Sequence, residues 1–296
     1  MLTGLDILFL GGDARQLEVI KELSQMNATI SLVGFDRLES QFSNAVKREL
    51  SMELLEKADA IILPVVGLDE AGEAMSLFSE KTIQMTETHF QACSPHCTFY
   101  TGIAKEYLQQ MAKRYQLRLV QLLERDDIAI YNSIPTAEGA VMMAIQHTDI
   151  TIHGSKIAVL GFGRVGQTLA HTLDLLGADV RVGVRSERDY ARIQQLGMEP
   201  FFLHQLVTQA HDLDMLMNTI PHLVVDALIL AQLPHHTFIL DLATKPGGVD
   251  FEYAKKRGLN AMLAPSLPGI VAPKTAGKIL AKTLVQLLME QQEGRS

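Results

Sequence analysis

Six consecutive residues, Gly161-Phe162-Gly163-Arg164-Val165-Gly166, have the spacing that lets a polypeptide backbone hold a pyrophosphate. A bare Gly-x-Gly-x-x-Gly says little. Here the apolar run Lys156–Leu160 precedes it and a helical pattern begins at Gln167, which is the strand-turn-helix context the chemistry requires. Gly161 then permits the tight turn, Gly163 lets the main chain approach the anion, and Gly166 lets helix and strand pack closely, with the anion on the helix N-terminus. The next strand, Asp179–Val184, ends at Arg185-Ser186, roughly 20 residues past the last glycine, where an acidic residue would hold the 2′-hydroxyl of NAD. A guanidinium beside a hydroxyl suits a 2′-phosphate instead, because arginine offers a two-point charged fork. The expected cofactor is NADP, with NAD the alternative. Two later turns, Asn218-Thr219-Ile220-Pro221 and Asp241-Leu242-Ala243-Thr244, end the fourth and fifth strands of the same series. Ligands of open α/β sheets gather at strand carboxyl ends, so Thr219, Ile220, Pro221, Asp241, Leu242 and Ala243 are expected to face the ribose and nicotinamide. Asp241 serves equally well as a cap for the segment that follows it.

Other residues suit an anionic substrate. Gly11-Gly12-Asp13-Ala14-Arg15-Gln16 is a second strand-to-helix turn, where Arg15 is a candidate to hold a carboxylate. Glu124, Arg125 and Asp126, then Ser133, Thr136 and Glu138, lie where two domains are expected to face each other. Lys245 and Lys274 sit in loops fixed by glycine and proline. For each cation a surface ion pair is the plain alternative. The recurrence of Arg15, Arg125, Lys245 and Lys274 at such loops, in a chain of net charge −8, points to a small dianion held between domains. Ser133 and Thr136 would add hydroxyl donors, and Glu124, Asp126 and Glu138 are the candidate proton acceptors. A hydroxyacid dehydrogenase would place a histidine general acid after the last strand of its sheet. Residues 262–277 contain no histidine, which argues against simple 2-keto-acid reduction.

These residues need a scaffold, and the periodicity describes one. Short apolar runs near residues 5–10, 30–35, 60–66, 98–100 and 117–122 alternate with helical stretches, as do runs at 156–160, 179–184, 199–202, 214–218, 238–242 and 260–263. Near-continuous apolar strands between helices mean parallel sheets covered on both faces. The fold class is α/β: two doubly wound parallel-sheet domains, the second a Rossmann dinucleotide-binding domain, joined by a connecting helix. The expected boundaries are a flavodoxin-like substrate domain at 1–134, the connecting helix at 135–150 with its start at 133–138, the Rossmann domain at 151–271 and a C-terminal helix at 272–296.

The 296 residues carry 26 Lys plus Arg against 34 Asp plus Glu, without a basic run, which sets nucleic-acid binding aside. No window approaches the ~20 apolar residues of a membrane span, and a cytoplasmic protein is expected. The only cysteines, Cys93 and Cys97, form neither a disulfide framework nor a zinc spacing with any histidine, so no metal site is expected.

Longer stretches carry a resemblance. Residues 124–138 (ERDDIAIYNSIPTAE), 144–153 (AIQHTDITIH) and 263–277 (ending in LPGIVAPKTAG), with 11–16, 35–36 and 241–250, resemble the A subunits of the dipicolinate synthases of spore-forming bacilli. The likeness runs over nearly the whole chain, and its plan is similar to that of formate/glycerate and alanine dehydrogenases. It implies NADP-dependent formation of pyridine-2,6-dicarboxylate from a dihydro or hydroxytetrahydro precursor during sporulation, in the mother-cell cytoplasm. It also implies a partner, the smaller, flavoprotein-like B subunit; a homo-oligomer is expected besides. The alternatives are a 2-hydroxyacid or amino-acid dehydrogenase on the same fold, and a non-catalytic, NADP-binding regulatory subunit.

Overall fold

A computed structural model describes residues 1–244, 246–264 and 266–294. Lys245 therefore lies outside the described residues. Packing divides the chain into one unit formed by Met1–Ala129 with Ala272–Ser296 and a second formed by Ile130–Val271.

The first unit is built from β1 (Asp6–Leu10), α1 (Ala14–Gln25), β2 (Thr29–Val33), β3 (Ala45–Lys47), α2 (Met52–Lys57), β4 (Ala60–Ile62), β5 (Glu73–Ala74), β6 (Ile83–Gln84), α3 (Glu87–Ala92), β7 (Thr98–Thr101), α4 (Glu106–Arg114) and β8 (Arg118–Gln121). Its main sheet runs β3-β2-β1-β4-β7-β8, parallel throughout, and β5 pairs β6 in a small antiparallel ribbon. Adjacent residues of a strand face opposite sides, and both sides are buried: Phe9 packs with Val19, Ile20 and Leu23 of α1, while Leu8 joins Leu55, Phe90 and Leu108 on the other face. That two-sided burial is why β1 reads as a continuous apolar run. β3 was not foreseen; three residues at a sheet edge with Val46 and Lys47 exposed are too short and too polar to register as a strand.

Helix α5 (Asp126–His147) crosses from the first unit into the second. The start expected at 133–138 is overturned. Asp126 and Asp127 in the first turn favour a helix N-terminus there, and the Asp127 carboxylate accepts the Ile128 N–H at 2.9 Å. Pro135 is then interior to the helix, where it lacks the N–H that would reach the carbonyl four residues back. Nearby hydroxyls satisfy neighbouring carbonyls: Ser133 donates to Ile130 and Thr136 to Asn132.

The second unit continues with β9 (Lys156–Leu160), α6 (Arg164–Leu175), β10 (Asp179–Val184), α7 (Glu187–Gln195), β11 (Glu199–Phe202), α8 (Leu206–Gln209), β12 (Met215–Asn218), α9 (Ala227–Gln232), β13 (Phe238–Asp241), α10 (Phe251–Lys256), β14 (Asn260–Leu263) and α11 (Leu267–Val271). Its sheet is parallel with the order β11-β10-β9-β12-β13-β14, the same order as the first. The last helix, α12 (Pro273–Glu293), returns to the first unit, where Leu280, Leu284 and Leu288 join the core beside α1. The approach is close. A Cβ on Gly277 would sit 2.4 Å from the Arg15 carbonyl oxygen, so only glycine fits.

Candidate functional site

Strand order fixes where a ligand can sit. In the second unit the chain reverses direction between β9 and β12, and at their carboxyl ends lies a cleft of about 680 Å³. β9 feeds the turn at Gly161, whose φ of +96° is a left-handed conformation that glycine adopts without strain. A Cβ there would meet Thr219 Oγ1 at 2.5 Å, and one on Gly166 would meet the Gly161 carbonyl oxygen at 2.2 Å. These two glycines hold the turn against its own helix and the end of β12. At Gly163 a Cβ meets no described atom within 4 Å. That glycine keeps open space, which is the space a phosphate needs.

The two glycine turns of the chain look alike in sequence and differ in structure. At α1 the Asp13 side chain caps the helix, accepting the Arg15 N–H, while Gln16 Oε1 accepts the Asp13 N–H in return. Gly11 N donates to the Val33 carbonyl and Gly12 N to the Met75 carbonyl, so the donors of this turn are spent inside the protein. At α6 the N-cap is Gly163, and no side chain caps it. With a dipole behind them and no carboxylate in front, the first amides of α6 are available to an anion.

Along the cleft, Phe162, Arg164 and Val165 line the wall with Gly161 and Gly163, and Arg185 and Ser186 follow from β10. Ser186 Oγ caps α7 by accepting the Asp189 N–H at 3.1 Å, and its O–H remains able to donate. Arg185 is exposed and has no partner among the described residues. Thr219, Ile220 and Pro221 complete one wall, and Leu242 and Ala243 another. Gly166 and Asp241 do not line the cleft. Asp241 is fully buried and accepts N–H groups from the turns around it, so of its two readings the structure favours the cap. Thr244 lines the cleft as well, from the turn expected to face the cofactor, whereas sequence reasoning missed Gly183, Val184, Arg188, Asp189 and Leu203. Arg188 was within reach, three residues past Arg185 in the first turn of α7; Leu203 follows β11 and joins only through the sheet.

The expected substrate residues are less open than their types suggest. Arg15 is buried, with Nε and Nη2 bound to the Asp13 carboxylate, Nη2 at 2.6 Å. Ser133 Oγ, besides bonding Ile130 O, lies 2.6 Å from Thr168 Oγ1, and the Thr136 hydroxyl is held by its own helix. Arg125 pairs with Asp127 at 3.0 Å. Lys274, expected in a loop, stands instead in the first turn of α12 in the first unit, exposed and without a partner among the described residues. Of the candidate proton acceptors, Glu124 accepts from Gln121 Nε2 at 2.7 Å and Asp126 stands in the first turn of α5. Glu138 is exposed on α5 with no partner among the described residues. Burial pushes the Cys93 thiol up to about 12, which removes it as a nucleophile at neutral pH. Among the described residues no three His, Cys, Asp or Glu side chains gather as a metal site, and no helix is long and apolar enough to cross a membrane.

The comparisons with known proteins agree with this geometry. A family model for the N-terminal domain of the dipicolinate synthase A subunit matches residues 6–123, and one for the NAD binding domain of D-isomer specific 2-hydroxyacid dehydrogenases matches residues 119–243. The A subunit of dipicolinate synthase from Bacillus subtilis (strain 168) is 50% identical over 292 residues, 99% of this chain and 98% of that protein. The chain belongs to the family of dipicolinate synthase A subunits. The crystal structure of the dipicolinate synthase A subunit from Bacillus halodurans superposes with a TM-score of 0.94 at 54% identity, covering 97% of this chain and 99% of that one. D-lactate dehydrogenase from Escherichia coli shares the fold alone, with a TM-score of 0.65 at 12% identity over 98% of both chains. The chain carries an NAD-binding domain of the dehydrogenase type, and the cleft at 161–165 is where its open amides would hold a nicotinamide dinucleotide.

Proposed function

We propose that this chain oxidises a dihydropyridine-2,6-dicarboxylate, or its hydroxytetrahydro precursor after loss of water, to pyridine-2,6-dicarboxylate with NADP, in the mother-cell cytoplasm during sporulation and together with a smaller B subunit. The observation that carries the reading is the uncapped glycine turn of α6 with Arg185, which has no partner among the described residues, at the next strand end, in a chain half identical to the A subunit of a dipicolinate synthase. NADP, when bound, supplies the hydride acceptor. The chain's residues do the rest. The amides at Gly163, Arg164 and Val165 hold the pyrophosphate, and Arg185 with Ser186 holds the 2′-phosphate. The turns at 219–221 and 242–244 flank the reacting end. The substrate loses a hydride and a ring proton. Because the product ring is aromatic, removal of that proton is driven by the ring itself, and a carboxylate suffices without a histidine acid–base pair. Among Glu124, Asp126 and Glu138, the first to test is Glu138, which has no partner among the described residues. Two substrate carboxylates call for cations, for which Lys274 is the free candidate among the described residues, with Lys245 outside them; Arg15 and Arg125 are already paired.

The deciding experiment mixes the purified chain with dihydrodipicolinate and NADP and follows dipicolinate and reduced cofactor in the ultraviolet, with and without the B subunit. Equal formation of both products is expected, and the arm without the B subunit shows whether that subunit is needed for turnover. Reduction of simple 2-keto acids at comparable rates would overturn the substrate assignment. NADP binding without turnover, even with the B subunit present, would leave a regulatory role.

A further inference from the structure

Asp241 is the last residue of β13, fully buried beside a cleft it does not line. Its carboxylate is wholly engaged. Oδ1 accepts from Asn218 Nδ2 at 2.9 Å and from the Ala243 N–H at 3.0 Å, and Oδ2 accepts from the Gly248 N–H at 2.6 Å. Asn218, the last residue of β12 and also fully buried, closes its own turn: Nδ2 donates to the Ile220 carbonyl at 2.9 Å and Oδ1 accepts the Ile220 N–H at 3.1 Å. One side chain thus locks the turn after β12, another the turn after β13, and the bond between them ties the two together. The returning loop is moulded to the pair. A Cβ on Gly247 would sit 2.5 Å from Asp241 Oδ2, and one on Gly248 would sit 2.5 Å from Asn218 Nδ2.

A buried carboxylate is a poor way to stabilise a core, since an apolar side chain of similar size does so without losing hydration. What it offers is direction, because it accepts several N–H groups at fixed angles. Each of these acceptor bonds serves a strand-end turn or the loop packed on it. We propose that Asp241 is a positioning residue: through Asn218, Ala243 N and Gly248 N it sets the separation of the turns at 219–221 and 242–244, and so the shape of the end of the cleft remote from Arg185. This rests on the reading that the cleft holds a nicotinamide dinucleotide, with the nicotinamide at that end.

Two probes separate the ends. Adenosine 2′,5′-bisphosphate reaches only the half built by residues 161–165 with Arg185, Ser186 and Arg188, whereas NADPH spans the whole cleft. The Asp241→Asn variant keeps the shape but turns an NH₂ toward one of the N–H donors. Its affinity for NADPH should fall roughly 10- to 100-fold while that for the bisphosphate stays within about twofold. Hydrogen exchange at Ile220, Ala243 and Gly248 should accelerate, and at Gly161, bonded to the Gly183 carbonyl, it should not. Parallel loss of both affinities would show a structural role only and overturn the proposal, as would no change in either. Should Asp241→Asn fail to fold, Asn218→Ser, which frees the Ile220 turn and leaves the Asp241 bonds to Ala243 and Gly248, must show the same split. Wild-type protein that binds the bisphosphate but not NADPH would instead overturn the cofactor reading beneath it.

Discussion

The three glycines of the phosphate turn answer different demands, and substitution separates them. Gly163 has φ −81° and ψ −166°, an extended conformation open to any residue, and a Cβ placed on it meets no described atom within 4 Å. Gly163→Val therefore introduces no clash within the protein. Its cost to folding is a poorer helix N-cap, about 0.5–1 kcal/mol, or a melting temperature lower by no more than about 4 °C. For a pyrophosphate the same side chain fills the site. Excluding the anion from two charge-assisted backbone bonds, at about 1.5–3 kcal/mol each, should weaken the dinucleotide roughly 10²- to 10⁴-fold. Gly166→Ala should show the reverse balance. Its Cβ would lie 2.2 Å from the Gly161 carbonyl oxygen, and such overpacking costs about 1–3 kcal/mol, several degrees of melting temperature. Titration calorimetry with NADPH and thermal unfolding of both variants make the comparison. NADPH affinity within about threefold of wild type in Gly163→Val would refute the assignment of the turn as the phosphate site.

Arg185→Asp should weaken NADP more than NAD, by roughly 10-fold or more in the ratio of dissociation constants; an unchanged ratio would assign the 2′-phosphate to Arg188 or elsewhere. Arg15→Ala leaves the largely buried Asp13 carboxylate without its partner, and a loss of about 3–5 kcal/mol in urea unfolding is expected; a loss under about 1 kcal/mol would mean that solvent screens the pair. Asp212 is held well below the usual carboxylate range by hydrogen bonds from Arg181 and Lys156. A depressed folded value contributes stability that is present above the ordinary carboxylate value near pH 4 and lost as pH falls toward the depressed one. The melting-temperature gap between wild type and Asp212→Asn should accordingly be widest at neutral pH and close below about pH 4, and a gap independent of pH would exclude the ion pair as its cause.

The second unit was nearly legible from the chain alone. Its six strands fall within a residue or so of the expected runs, because in a sheet buried on both faces each strand must itself be apolar, and that is a local property. The phosphate turn was equally local: strand, three glycines and helix are consecutive residues. The short, exposed β3 left no such trace. The true start of α5 was hidden by Pro135, whose ordinary place is a first turn and which the Ser133 and Thr136 hydroxyls accompany inside a longer helix.

What the chain could not disclose is which polar groups are already spent. Gly11-Gly12 and Gly161-x-Gly163 carry the same local signal, yet the first is closed by Val33 and Met75, strand and loop residues distant in sequence, and by its own Asp13 cap. Arg15 reads either as a carboxylate clamp or as half of a surface ion pair until the structure shows it buried against Asp13. Asp241 reads as a cofactor contact or a cap until Asn218 and Gly248, 23 and 7 residues away, converge on it. Propensity and periodicity act between neighbours. A hydrogen bond to a residue brought near by folding is settled only when the sheet is assembled, and such bonds decide which of the chain's candidate groups remain open to a ligand.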